Sequence, residues 1–312
     1  MSAPTYIPFD KGEARLDWLK LTEALARGHT LPKAQIDDTF LYRGDDTLLS
    51  RAAWIDGLGQ LVKTATIFPG NAAADKPSVN GAVTLFDDHD GMLAALIDFH
   101  LVTKWKTAGD SLLAALWLAP RDVREILIMG AGTVSGTLVE AFSAGFPQAR
   151  FRIWNRTPDR ARALAARYRN AEAADDLAEA VPRADIVLGA TMSTDPVLRG
   201  DWLRPGQHVN LIGAYRPDMR EADDTALKRA TIYVDSHDTT LDHIGELKMP
   251  LARGVIGRDD IRADYYALDG FTRGTADEIT LFKNGGGAHL DLMTARYILD
   301  CWTGGAEPGR AG

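Results

Sequence analysis

Residues 126–132 read Ile-Leu-Ile-Met-Gly-Ala-Gly, an apolar run that ends in a glycine turn. A short continuous apolar run bounded by glycine is the pattern of a strand buried on both faces. Residues 133–144 have helical spacing, and a second apolar strand is predicted over 151–154. Strand, glycine turn, helix and strand in that order form a unit that holds a pyrophosphate. The glycines let backbone approach the ligand closely, and the helix N-terminus favours its negative charge. Gly130 and Gly132 supply two of the small positions, Ser135 stands at the third, Gly136 follows, and Thr133 and Val134 open the helix beside the turn. The second strand runs into Asn155-Arg156-Thr157. A carboxylate there would accept from a ribose 2′-hydroxyl, whereas Arg156 suits a 2′-phosphate, so the expected cofactor is NADPH rather than NADH.

The 312 residues exceed one ordinary core and predict two domains. A net charge of −8 with no clustered basic run argues against a nucleic-acid partner. The single cysteine, Cys301, excludes an intramolecular disulfide framework and is too isolated to point to a metal. Residues 1–10 lack the basic and apolar pattern of a signal peptide, and no apolar run approaches membrane-spanning length. The expectation is a cytoplasmic protein with no membrane partner.

Ala14, Leu16, Leu19, Leu21, Ala24 and Leu25 predict one opening helix over 12–27, ended by Gly28. Apolar and alternating runs at 62–68, 81–86 and 92–97 predict strands of an antiparallel or mixed sheet. A helix over 107–118 closes at Pro120, which places a domain boundary near residue 120. Further strands at 186–190, 209–212 and 232–234 are separated by helix-compatible sequence at 175–180 and 220–229, and the alternation predicts a doubly wound parallel sheet. A last helix over 288–301 follows Asn284-Gly285-Gly286-Gly287, and 303–312 reads as a frayed polar tail. The fold class is therefore α/β. A Rossmann-type doubly wound domain covers 120–287, and an α+β domain is built from both chain ends, 1–119 and 288–312.

Four segments, VKTATIFPGN (62–71), TKWKTAGDS (103–111), the nucleotide-binding stretch and TLFKNGG (280–286), together resemble the ornithine cyclodeaminase and mu-crystallin family. That family includes certain alanine dehydrogenases and cyclic ketimine reductases, and the order and spacing of the segments carry the resemblance over nearly the whole chain. It implies that the domain built from the chain ends binds substrate and forms a homodimer, with the active site in a cleft between domains. It also implies roles for particular residues. Lys63 contacts the substrate close to the nicotinamide, either as a carboxylate anchor or as a proton donor. Lys106 stands where many members have an arginine that grips the carboxylate, a point charge in place of a two-pronged donor. Arg51 is a second anchor or else a structural salt bridge. Asp291 stabilises a cationic substrate nitrogen. Asn80, where members often have glutamine, contacts substrate or shapes its own turn. Thr191 and Met192 line the approach to the nicotinamide, and Asn284 and Gly285 pack near it.

Cyclodeaminases of the family carry an acidic residue shortly after the small pair matched by Gly213-Ala214, and here Tyr215 stands next. The expected activity is therefore NADPH-dependent reduction of a small cyclic ketimine carboxylate. Δ1-Pyrroline-2-carboxylate or Δ1-piperideine-2-carboxylate would yield L-proline or L-pipecolate. A protonated C=N carbon is electrophilic enough that the protein need mainly hold and aim it. The alternatives are an amino acid dehydrogenase acting on an open-chain imine, an ornithine cyclodeaminase, and a non-catalytic NADPH-binding protein.

Overall fold

The computed structural model describes residues 4–74 and 76–304, so the tail expected beyond residue 304 lies outside the described residues. The chain divides into two compact units. One runs to Lys106 and resumes at Gly287; the other is Thr107–Gly286. The division falls inside the helix Phe99–Leu118 and not at Pro120. A proline marks where a helix stops, and this helix changes packing partners before it stops.

The first unit holds one six-stranded sheet made of β1 (Thr5–Ile7), β2 (Gln35–Arg43), β3 (Asp46–Ile55), β4 (Gly59–Ile67), β5 (Val79–Phe86) and β6 (Leu93–Asp98). Its order is β1-β6-β5-β4-β3-β2, antiparallel throughout except for the parallel β1–β6 pair. Burial alternates along β4, with Gly59, Leu61, Lys63 and Ala65 on the covered face. The closing helix Ala288–Thr303 packs over β3, β4 and β5. Cross-strand register sets Asp38 opposite Arg51 and Arg51 opposite Lys63, so one rung of the sheet carries three charged residues. The helix predicted over 12–27 is instead two, Phe9–Glu13 and Trp18–Gly28. Asp17 caps the second by accepting from the Lys20 amide at 2.9 Å, a start signal that the apolar spacing across it obscures.

The second unit holds an eight-stranded, wholly parallel sheet: β7 (Glu125–Met129), β8 (Arg150–Trp154), β9 (Ala171–Ala173), β10 (Ile186–Gly189), β11 (His208–Leu211), β12 (Thr231–Val234), β13 (Ile261–Ala263) and β14 (Thr280–Lys283). Its order, β13-β12-β14-β11-β10-β7-β8-β9, runs outward from β7 in both directions. The expected doubly wound α/β fold is present, and β7 and β10 flank the point where strand order reverses. Ligands of such sheets bind outside the carboxyl ends of the strands at that point. Sequence patterning passed over β14 because it ends in a lysine that is fully buried.

His208 sits in this core with Nδ1 2.9 Å from Thr280 Oγ1. Burial, reinforced by the Arg273 charge, pushes its pKa down from 6.5 to about 3. Between those values the unfolded chain binds a proton that the folded protein refuses, so this contribution to stability falls as pH drops through the window. His208→Leu is expected to remove one proton's worth of that slope, ~1.4 kcal/mol per pH unit. Urea unfolding of both proteins at several pH values between 6.5 and 4 checks this, and parallel slopes would contradict it.

Candidate active site

At the carboxyl edge of β7 the chain turns through Gly130, whose φ of 116 excludes an ordinary side chain and whose Cβ would lie 2.5 Å from Ala190 O. Its amide donates to Trp154 O at 2.7 Å, tying the turn to the end of β8. Gly132 is the N-cap of the helix Thr133–Gly145, and no side chain caps that helix. A Cβ on Gly132 would meet nothing within 4 Å. Ser135 Oγ, in the first turn, is buried with no hydrogen-bond partner among the described residues. Uncapped first-turn amides, an open cradle and a spare hydroxyl fit an anionic diphosphate. Gly136 serves packing: a Cβ there would be 3.2 Å from the Tyr168 hydroxyl, which donates to Gly136 O at 3.1 Å. Thr133 and Val134 lie at the exposed mouth of the turn.

Beyond β8, Asn155 Nδ2 donates to Thr157 O at 3.0 Å, and Thr157 is the N-cap of the helix Pro158–Ala165. Arg156 projects into solvent, and no ion pair engages it among the described residues. Beyond β10, Thr191 points its amide and hydroxyl at one carboxylate oxygen of Glu221, at 2.7 and 2.8 Å, while Met192 is exposed. Beyond β14, Asn284 donates to Thr107 O and Ser111 Oγ at 3.1 and 3.0 Å, holding the strand end to its helix. Gly285 admits Asp235 and Thr240, which a Cβ would strike. Sequence reading missed Glu221, Asp235, Glu246 and Lys283 here. The stretch 220–223 (READ) looks like solvated helix in sequence, yet Glu221 and Glu246 are fully buried.

The charged rung of the first unit forms the second cluster. Lys63 Nζ lies 2.8 Å from Asp291 Oδ1 and 4.8 Å from the Phe99 ring centroid. Arg51 grips Asp38 with two nitrogens at 2.9–3.1 Å and sets Nη1 3.9 Å from Asp291 Oδ2. It therefore serves as a structural partner while remaining close to the acid. Burial lowers the Lys63 pKa to about 8; Asp291 opposes the shift, and Lys106 and Arg51 deepen it. Burial raises the Asp291 pKa, but Lys63, Lys106 and Arg51 together hold it below its ordinary value. Among the described residues, nothing donates a hydrogen bond to Asp291 Oδ2. His289, one turn-neighbour away and not singled out in the sequence, is buried and driven to a pKa of about 3 by burial and then Lys106. The fold thus gathers Arg51, Lys63, Lys106 and Asp291. Asn80 is exposed and donates to Pro77 O at 3.0 Å, which is the turn role.

A model of the ornithine cyclodeaminase/mu-crystallin family matches residues 56–306. The chain belongs to that family. It is 50% identical to the Δ1-pyrroline-2-carboxylate reductase of Paracoccus denitrificans over 95% of this chain and 96% of that protein. It is 34% identical to the ketimine reductase mu-crystallin of Rattus norvegicus over 78% of this chain and 76% of that one. A solved structure of Δ1-pyrroline-2-carboxylate reductase from Thermococcus litoralis, in complex with NADH and L-proline, superposes with a TM-score of 0.88 at 25% identity. The match covers 96% of this family member and 98% of that chain.

The two glycines of the turn separate stability from binding. Gly132→Ala should fold normally and bind a nicotinamide dinucleotide about tenfold more weakly, because its methyl would enter the cradle. Gly130→Ala should lose about 1–3 kcal/mol of stability through its positive φ and the clash with Ala190. Thermal melts together with fluorescence titration of NADPH test the pair; the reverse assignment would contradict it.

Proposed function

We propose that this protein reduces a small cyclic ketimine carboxylate, Δ1-pyrroline-2-carboxylate first and Δ1-piperideine-2-carboxylate second, to L-proline or L-pipecolate with NADPH. It is a nicotinamide-dependent oxidoreductase acting on C=N bonds. The observation that carries the substrate reading is the Lys63–Asp291 pair, a buried carboxylate with one oxygen engaged at 2.8 Å and the other accepting no hydrogen bond among the described residues. An iminium N–H is the donor that such an oxygen lacks. The high identity to the Paracoccus denitrificans reductase along nearly the whole chain supports the same choice.

A reduced nicotinamide dinucleotide, its diphosphate at the glycine turn, would supply the hydride. The chain's own residues do the rest. Lys106 and Arg51 attract the substrate carboxylate, and Asp291 favours the protonated nitrogen, which makes the adjacent carbon electrophilic. When the imine enters neutral, the Lys63 ammonium is acidic enough, at a pKa of about 8, to hand its proton to that nitrogen. Gly130, Gly132, Thr133 and Val134 would hold the diphosphate, and Thr191 and Met192 would stand beside the nicotinamide. Asn155, Arg156 and Thr157 would hold the 2′-phosphate. At the place where cyclodeaminases would set an acid, Tyr215 is exposed, and the nearby Asp218 is held by Arg216 at 2.9 Å. We also read the molecule as a homodimer. Exposed Phe40, Leu41 and Tyr42 on the edge strand β2 support this.

Purified protein should oxidise NADPH with five- and six-membered cyclic ketimines and not with 2-oxo acids plus ammonia or methylamine. Ornithine with NAD should yield no proline; proline and ammonia appearing there would overturn the assignment. Arg156→Ala should raise KM for NADPH about tenfold while leaving NADH kinetics unchanged. Equal effects on both cofactors would remove Arg156 from the 2′-phosphate site. Asp291→Asn should cut kcat/KM for the imine by at least about tenfold with NADPH affinity retained.

A further inference from the structure

The carboxyl edge of the parallel sheet carries a set of buried charges that the proposed chemistry leaves without a role. Glu221 Oε1 accepts from the Thr191 amide and hydroxyl at 2.7 and 2.8 Å, and Oε2 accepts from the Gly213 and Ala214 amides at 2.6 and 3.3 Å. One carboxylate thus joins the segment after β10 to the segment after β11. The two segments touch so closely that a Cβ on Gly213 would overlap the Thr191 backbone, and one on Gly189 would lie 2.9 Å from Glu221 Oε1. Glu246 fixes Glu221 in turn, accepting from the Glu221 and Ala222 amides at 2.7 and 3.0 Å. Lys283, fully buried, donates to Leu211 O and Asn284 O at 2.9 Å each, which ties the end of β11 to the end of β14.

Stability alone does not account for this set. Buried charges are costly, and apolar side chains of similar volume hold strands together as well or better. What apolar side chains cannot do is bond to chosen backbone amides and so fix two loops at one height. Burial and the neighbouring Glu221 charge raise the Glu246 pKa to about 7, with Lys283 opposing.

We infer that Glu221 is a positioning residue for the dinucleotide: its carboxylate clasps the segments after β10 and β11 and so sets where Thr191 and Met192 stand. The inference rests on the reading that this edge receives the nicotinamide. It adds a residue that acts through the Thr191, Gly213 and Ala214 amides and touches no ligand itself.

Glu221→Gln, Glu221→Ala and Gly189→Ala test it, with NADPH and NADH affinity measured by nucleotide fluorescence, melting temperature recorded, and ketimine kinetics run in parallel. The glutamine variant keeps only part of the acceptor capacity, so dinucleotide affinity should fall about tenfold, and further in the alanine variant. KM for the dinucleotide should follow, with KM for the imine little changed. Gly189→Ala keeps the carboxylate but crowds it, and should shift affinity the same way even if Glu221→Ala fails to fold. Folded variants with lower melting temperatures but wild-type dinucleotide affinity and kcat/KM would reduce Glu221 to a structural residue and overturn the inference. If the wild type binds dinucleotide but reduces no imine, the substrate reading fails, and the affinity comparison still decides the clasp.

Discussion

The ion pair between Lys63 and Asp291 joins positions 228 residues apart, and the first unit is organised around it. Lys63 lies on the covered face of β4, where alternation would otherwise place another apolar side chain. Asp291 is fully buried on the closing helix that lies over that face. Lys63 without Asp291 would be a buried charge stripped of its partner, a defect costing about 3–5 kcal/mol. The pair therefore makes the chain's last helix a condition of the first sheet's burial pattern. It also explains why this unit is assembled from both ends of the chain.

Charge is kept at this place by geometry that extends beyond the pair. The register that sets Asp38, Arg51 and Lys63 in one rung lets Asp38 occupy most of the Arg51 fork, so the guanidinium is held rigid while one nitrogen still reaches toward Asp291. In the proposed site, a rigid fork in Arg51 would offset the looser grip of a lysine at position 106 on a carboxylate. In the second unit the equivalent constraint is backbone crowding. Gly130 against the Ala190 backbone and Gly213 against the Thr191 backbone bring neighbouring strand ends so close that only glycine fits. Both halves of the proposed chemistry thus rest on close approach fixed by residues remote in sequence.

The sequence made the nucleotide fold legible because its elements are local: an apolar run, a glycine turn with helical spacing after it, and a second apolar run. It made the family legible through short lysine- and glycine-bearing segments. It hid what depends on long-range burial. Asp17 was obscured because an apolar pattern ran across its cap. The buried carboxylates of Glu221 and Glu246 and the ammonium of Lys283 look in sequence like the solvated face of a helix or the end of a strand, since nothing local distinguishes a desolvated charge from an exposed one. Asn284 and Gly285 read as ligand contacts from their run of small residues, and the structure engages both in joining the strand end to its neighbours. Asn80 had two readings, and a single hydrogen bond to Pro77 O favours the turn.

The charged groups of the cluster bear on what the proposed site would accept. Arg51 is held by Asp38 and Lys63 by Asp291, while Asp291 Oδ2 accepts no hydrogen bond among the described residues. On the proposed reading, an iminium N–H would donate to that oxygen, and the substrate carboxylate would lie among Arg51, Lys63 and Lys106. Burial lowers the Lys63 pKa to about 8, and an anion bound beside it would favour its charged form. In the proposed reaction, recognition of the carboxylate and delivery of the proton by Lys63 would therefore be coupled through one electrostatic interaction.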